Sequence, residues 1–298
     1  MGWERNLQEQ HLRYCSAASP PKPTRFGSDR GQSSSITTVR SKSQNCSARL
    51  TRSRRGRIDA GLGRANGSPA VDRALETDRR VRNPDEDHAE KIEAVVSRLY
   101  DSYPGGHAYS DIEISRSGEE TPVPWVFGSS TSSAALAGEL GLRYCFAAFI
   151  RPRVATRSFE EYQTHFESSQ LAGGVNEPQG MVAVNAVCAE TDVEAARLRA
   201  VAEASFKRME RGVVGTTPTV EQAINELGAV PEPTPATLDT GEWPRAISGS
   251  PETLNDLLKQ LSDRVGVDEV IIQHVVGDHA DALRSHELLA DGVGLTPR

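Results

Sequence analysis

Three groups of residues in this chain have side chains and spacings that could do chemistry. The first is Gly128-Ser129-Ser130, with Ser133 shortly after. The run closes an apolar stretch, Pro124–Phe127, and opens a small-residue helix, SSAALAGELG, ended by Gly141. Amides at a helix N-terminus together with hydroxyls make an anion site. The same serines can act as plain helix caps, and local sequence alone favours capping. The second is Arg64 in GRIDAGLGRA, Gly56–Ala65. A guanidinium at a strand end can fork onto a phosphate or simply face solvent. The third is DHADALRSHE, where His279, His286 and Glu287 lie near one helix face. The two histidines are about 10 Å apart along the axis. That spacing argues against a shared metal, so Asp278 reads as an N-cap and no metal site is expected. The seven histidines of the chain form no nucleophile triad.

The elements that must position these groups begin at Gly56. Arg57–Leu62 reads as a short strand. Asn83-Pro84 can open a helix with Ala89, Ile92, Val95, Val96 and Leu99 on one face. Pro124–Phe127, Tyr144–Ile150, Met181–Ala189 and Glu269–Val276 are apolar strand runs. Ser158 with Glu161 looks like a capping box for a helix to about Gln170, and Thr191 with Glu194 looks like another, for a helix to about Arg211. Residues 228–247 read as a Pro/Thr-rich loop. Ser250-Pro251 starts a further helix, and Asp278–Ala290 is the last, with Gly292 as its C-cap. Continuous apolar strands alternating with helices mean an α/β fold with a parallel sheet covered on both faces. Five strands fall short of the eight a closed barrel needs.

Charge divides the chain at the same border. Of 34 Lys+Arg and 41 Asp+Glu, residues 1–55 hold 11 and 3, a net of +8. The remaining 23 basic and 38 acidic residues give −15. A surface so acidic repels nucleic acid and anionic membrane, so neither is an expected partner. No run of about 18 apolar residues exists for a membrane span, and no apolar core of a signal peptide precedes the border. The expected location is cytoplasmic. Cys145 and Cys188 sit in apolar runs and read as buried thiols; Cys15 and Cys46 precede the border.

The segments GRIDAGLGRANG, VPWVFGSSTSSAALAGELGL, CFAAF, AVNAVCAETDVEA and DEVIIQHVVGDHADALRSHELLA occur in one order. In that order the chain resembles the bacterial luciferase-like flavin monooxygenases, from Gly56 to about Ala290. The resemblance implies a (β/α)8 TIM barrel of which the chain carries strands 4 to 8, an incomplete barrel. Two domains follow: 1–55, an out-of-frame or disordered segment, and 56–298, the partial barrel. Codons for Asn45–Gly56, Thr37–Asn45 and Arg25–Ser34, read out of frame, permit LFGTLDALAPG, HYSPLKVAE and SIRVGSGAVL. Joined, these resemble the family's third strand and its following helix.

The resemblance further implies a monooxygenase using reduced FMN and O2 on a small-molecule substrate, fed by a separate flavin reductase. A homodimer is compatible with it. A deazaflavin-dependent dehydrogenase of the same barrel type, or a non-catalytic remnant, is the alternative. The cofactor-binding residues it implies are Arg64, Gly128, Ser129, Ser130 and Ser133, with the flavin phosphate among them. No catalytic residue is assigned, because the family's active-site histidine after strand 2 and its strand 3 loop have no counterpart here. Ser132 stands where the family often has an aromatic.

Overall fold

The computed structural model describes residues 59–63, 84–103, 121–213, 215–238 and 243–294. Arg64 and the whole of 1–55 lie outside them, as does Asn83. The chain divides into two compact units. One runs up to Cys145 and adds Glu160–Gln179; the other takes Phe146–Phe159 and everything from Gly180 on.

In the first unit, β1 (Asp59–Gly63) pairs in parallel with β2 (Val123–Gly128), Gly61 opposite Trp125 and Gly63 opposite Phe127. Glycine at 61 is required by packing: a Cβ there would stand 2.9 Å from the Phe127 ring. The Trp125 indole N–H donates to Asp59 at 3.2 Å and ties the two strands together. Between them lies α1 (Pro84–Tyr100), whose Ile92 and Val96 are buried. That matches the expected apolar face, with Ala89, Val95 and Leu99 at its half-buried margins. After β2 come α2 (Thr131–Glu139) and β3 (Arg143–Ala147). Gly141, at φ +58°, makes the turn between them. Ile150 falls outside β3 and is exposed, so the strand is shorter than the apolar run.

β3 and α3 (Ala155–Thr164) are shared between the units. The helix differs from its expected form. It starts at Ala155, after a short 3-10 turn over Pro152–Val154, and ends at Thr164. Ser158 is therefore interior to the helix and fully buried, and does not cap it. Proline pre-set the turn earlier in the chain than the serine signature suggested.

The second unit is built on β4 (Gly180–Cys188), buried along nearly its whole length. Such a strand has both faces covered, as a parallel sheet requires. β6 (Glu269–Gln273) pairs in parallel with its first half, Met181–Asn185. A further strand, β5 (Ala246–Gly249), pairs in parallel with Asn185–Cys188. Six strands are thus described rather than five, and the loop expected over 228–247 ends in one of them. Pairing alone makes this short segment a strand. On its other side Ser248 N–H donates to Thr234 Oγ1 at 2.9 Å, and Thr234 is itself held by Arg199.

The helices of this unit start where hydroxyl or carboxylate caps stand. Thr191 caps α4 (Asp192–Glu210) by accepting from Glu194 N–H. Thr219 caps α5 (Val220–Leu227), a helix with no counterpart among those expected from the sequence. Ser250 caps α6 (Pro251–Val265) and Asp278 caps α7 (His279–Gly292). Gly292 is the last helical residue rather than the cap; the left-handed turn falls at Gly294, φ +71°. No helix among the described residues is long and apolar enough to cross a membrane.

Candidate functional site

The turn after β2 brings four of the five expected cofactor residues together. Gly128 ends the strand, Ser130 is the N-cap of α2, and Ser133 is its third residue. The strand and the helix start are pressed against each other. A Cβ at Gly128 would lie 2.0 Å from Ser133 Oγ and 2.4 Å from its Cβ. Only glycine fits there.

The two inner serines form a reciprocal capping box. Ser133 N–H donates to Ser130 Oγ, and Ser130 N–H donates to Ser133 Oγ, each at 3.3 Å. Ser133 Oγ in turn donates to the Ser130 carbonyl at 2.7 Å. Tyr144, fully buried on β3, supports the box from behind. Its hydroxyl lies 3.3 Å from both the Ser130 carbonyl and Ser133 Oγ. Capping is therefore a role these two serines do fill. What the turn leaves over is backbone: helix geometry gives the amides of Thr131 and Ser132 no carbonyl within the helix to reach. The helix dipole adds partial positive charge at that point. An anion can be held by these amides and by the Ser129 hydroxyl, with Ser130, Ser133 and Tyr144 fixing the turn. Glycine at 128 is what lets the strand end and the helix start pack this closely, with Ser133 against the bare backbone. Tyr144 was not anticipated; a lone phenol at the start of an apolar strand was its only trace.

Tyr162 orders the rest of this unit. Its hydroxyl donates to the Leu142 carbonyl at 3.0 Å and accepts from Gln179 N–H at 3.0 Å. Burial pushes its pKa up to about 12, so it stays a neutral donor.

In the second unit His286 is half-buried. Its ring stacks on His274, just past β6, with centroids 3.9 Å apart. His274 Nε2 meets Ser285 Oγ at 2.7 Å, and Ser285 Oγ accepts from Cys188 N–H at 2.8 Å. One buried serine thus joins the ends of β4 and β6 to α7. Burial, with His286 adding to it, lowers the His274 pKa to about 3; burial also lowers that of His286. Both rings are neutral near pH 7. Glu287 points elsewhere, into an ion pair with Arg284, which also binds Glu190 at 2.9 Å. Among the described residues no group of three or more His, Cys, Asp or Glu is placed to hold a metal. Cys145 and Cys188 are free and buried, and burial raises the Cys188 pKa to about 11.

No family model matches the chain. Relatives do. Over 238 residues it is 33% identical to YvbT of Bacillus subtilis (strain 168), an uncharacterized protein, covering 79% of this chain and 67% of that one. Over 237 residues it is 28% identical to the luciferase-like monooxygenase of Escherichia coli (strain K12), again covering 79% and 67%. The chain belongs to the luciferase-like flavin monooxygenase family. Among solved structures of similar fold, apo-MsnO8 matches with a TM-score of 0.67 and 32% identity, over 86% of this chain and 74% of that one. The oxygenating constituent of 3,6-diketocamphane monooxygenase of Pseudomonas putida, solved with FMN, matches with a TM-score of 0.51 and 18% identity, over 87% of this chain and 77% of that one. As a luciferase-like protein, the chain is an oxidoreductase by descent, with the α/β architecture of that family.

Proposed function

We propose that β1, β2, β3, β4 and β6 are strands four to eight of a (β/α)8 barrel, with β5 an addition beside the seventh. The barrel's activity is monooxygenation of a small organic substrate with O2 and reduced FMN, the reduced flavin arriving from a separate reductase. The observation that carries this reading is the turn Gly128–Ser133. It ends a parallel strand, opens a helix, and leaves two helix-start amides for an anion. That is the position a barrel offers a phosphate, at the C-terminal ends of its strands.

When bound, reduced FMN supplies the electrons that activate O2. The chain's own part is binding. Thr131 and Ser132 amides and the Ser129 hydroxyl hold the phosphate, Ser130 and Ser133 keep the turn in shape, and Arg64 adds a charged fork. We read 1–55 as an out-of-frame stretch, in whose sequence the active-site histidine and the strand 3 loop implied by the family resemblance have no counterpart. The ring-side half of the pocket is then incomplete and the activity of this chain impaired.

The test is a fluorescence titration with FMN and with riboflavin, using protein whose upstream frame has been restored. A charge-assisted bond contributes roughly 1.5–3 kcal/mol. Arg64→Ala should therefore weaken FMN at least about tenfold and leave riboflavin, which lacks the phosphate, unchanged. Turnover with a deazaflavin and no need for O2 would turn the reading to the dehydrogenase.

A further inference from the structure

Two carboxamides stand side by side on β4 and β6. Asn185 and Gln273 are register partners in the parallel pairing of these strands, so their side chains share a face of the sheet. It is the face away from α7. The next residue along, His274, turns the other way and stacks on His286 of that helix. Asn185 is also the residue at which β4 changes partner, since it is in register with Ala246 at the start of β5 as well. On one face, then, a buried asparagine is flanked by a glutamine and by an alanine.

None of the neighbours satisfies these amides. Asn185 is 1% exposed, and neither its Nδ2 nor its Oδ1 has a hydrogen-bond partner among the described residues. Gln273 Oε1 is likewise buried without one. Leaving a buried polar atom unmatched costs about 1–3 kcal/mol. Three such atoms lie at one register position of β4 and β6, and β4 is otherwise apolar. The residues of this face nearest the pair, Ala183, Val187 and Ile271, carry no charge; the charged residue of the face, Glu269, stands four positions from Gln273 along β6, about 13 Å away. An ionised ligand group would have no counter-charge beside the amides, and burying one costs far more than burying a neutral amide.

We propose that Asn185 and Gln273 form a recognition subsite for the uncharged carbonyl or amide edge of a bound small molecule. Asn185 both donates and accepts, and Gln273 accepts, so the ligand edge carries a carbonyl next to an N–H or O–H. Two sources share that chemistry: the pyrimidine edge of a flavin ring, and a carbonyl group of the organic substrate. The subsite rests on the monooxygenase reading only for what the ligand belongs to. It involves no phosphate, so its failure is separate from failure of the serine turn.

The experiment uses the full chain and two probes: lumichrome, a flavin ring without ribityl or phosphate, and nonanamide, a simple neutral amide. Side-chain amide NMR signals of Asn185, assigned by their loss in Asn185→Leu, are followed during each titration. At least one probe is expected to shift them saturably and to bind about tenfold more weakly to Asn185→Leu. Lumichrome alone doing so assigns the subsite to the flavin, and nonanamide alone to the substrate. Without ligand, Asn185→Leu is expected to raise the melting temperature, because an apolar side chain replaces unmatched polar atoms. If Asn185→Leu fails to fold, the wild-type titration and Gln273→Met carry the same readout. The proposal is overturned if neither probe moves the Asn185 signals, or if binding is unchanged in the variants.

Discussion

In the turn after β2, every serine hydroxyl of the capping box has a partner within the turn, and Tyr144 closes the set from behind. At the ends of β4 and β6 the opposite holds on one face, where Asn185 and Gln273 keep buried polar atoms without partners. On the other face His274 is tied to Ser285 by one ring nitrogen and pressed against His286. The first region is polar and locally self-sufficient; what it offers a ligand is backbone. The second is a nearly apolar sheet interrupted by a few polar side chains; what it offers is those side chains. A site of the first kind depends on how closely a ligand can approach the backbone. A site of the second kind depends on the side chains themselves.

The largest effect should come from acid. In the unfolded chain His274 titrates near 6.5, and in the folded chain near 3. The unfolded state therefore takes up a proton first as pH falls. The stability contributed by the neutral, buried ring is complete above about 6.5 and is lost on the way down to about 3. The full window corresponds to as much as about 5 kcal/mol. His286, also lowered, adds in the same direction. Urea unfolding from pH 7 to pH 4 should show a clearly shallower decline for His274→Gln, which keeps a bond to Ser285. Equal slopes would break the contrast drawn for the second region.

Next in size is Gly128→Ala. Its methyl would overlap Ser133 Oγ at 2.0 Å, so strand and helix must part. Overpacking of this kind costs about 1–3 kcal/mol, and the upper end is expected because the neighbour is held by the capping box. Unfolding in urea measures it. A cost under about 0.5 kcal/mol, far below the usual overpacking range, would mean that the turn is softer than its hydrogen bonds suggest.

Much of this was legible in the sequence, wherever the signal was local and backed by a partner close in the chain. Thr191, Ser250 and Asp278 cap the helices they were expected to cap. Gly128, Ser129, Ser130 and Ser133 do come together. Ser158 shows the weakness of the same signature: an identical spacing sits inside a helix that Pro152 had already begun to turn. β5 could not be read, because only its register with Asn185–Cys188 makes AISG a strand. The contact of His286 with His274 could not be read, because the two lie on different elements. Asn185 and Gln273 left a trace, each a polar residue inside an apolar run, but only strand register shows that they are neighbours.

The central claim is that the helix start after β2 holds a flavin phosphate through Thr131 and Ser132. Backbone amide NMR of the full chain, titrated with FMN and separately with riboflavin, tests it most directly. FMN should shift the Thr131 and Ser132 amides saturably, inorganic phosphate should compete for them, and riboflavin should leave them in place. Riboflavin moving those two amides as far as FMN does, or millimolar FMN leaving them still, would contradict the account.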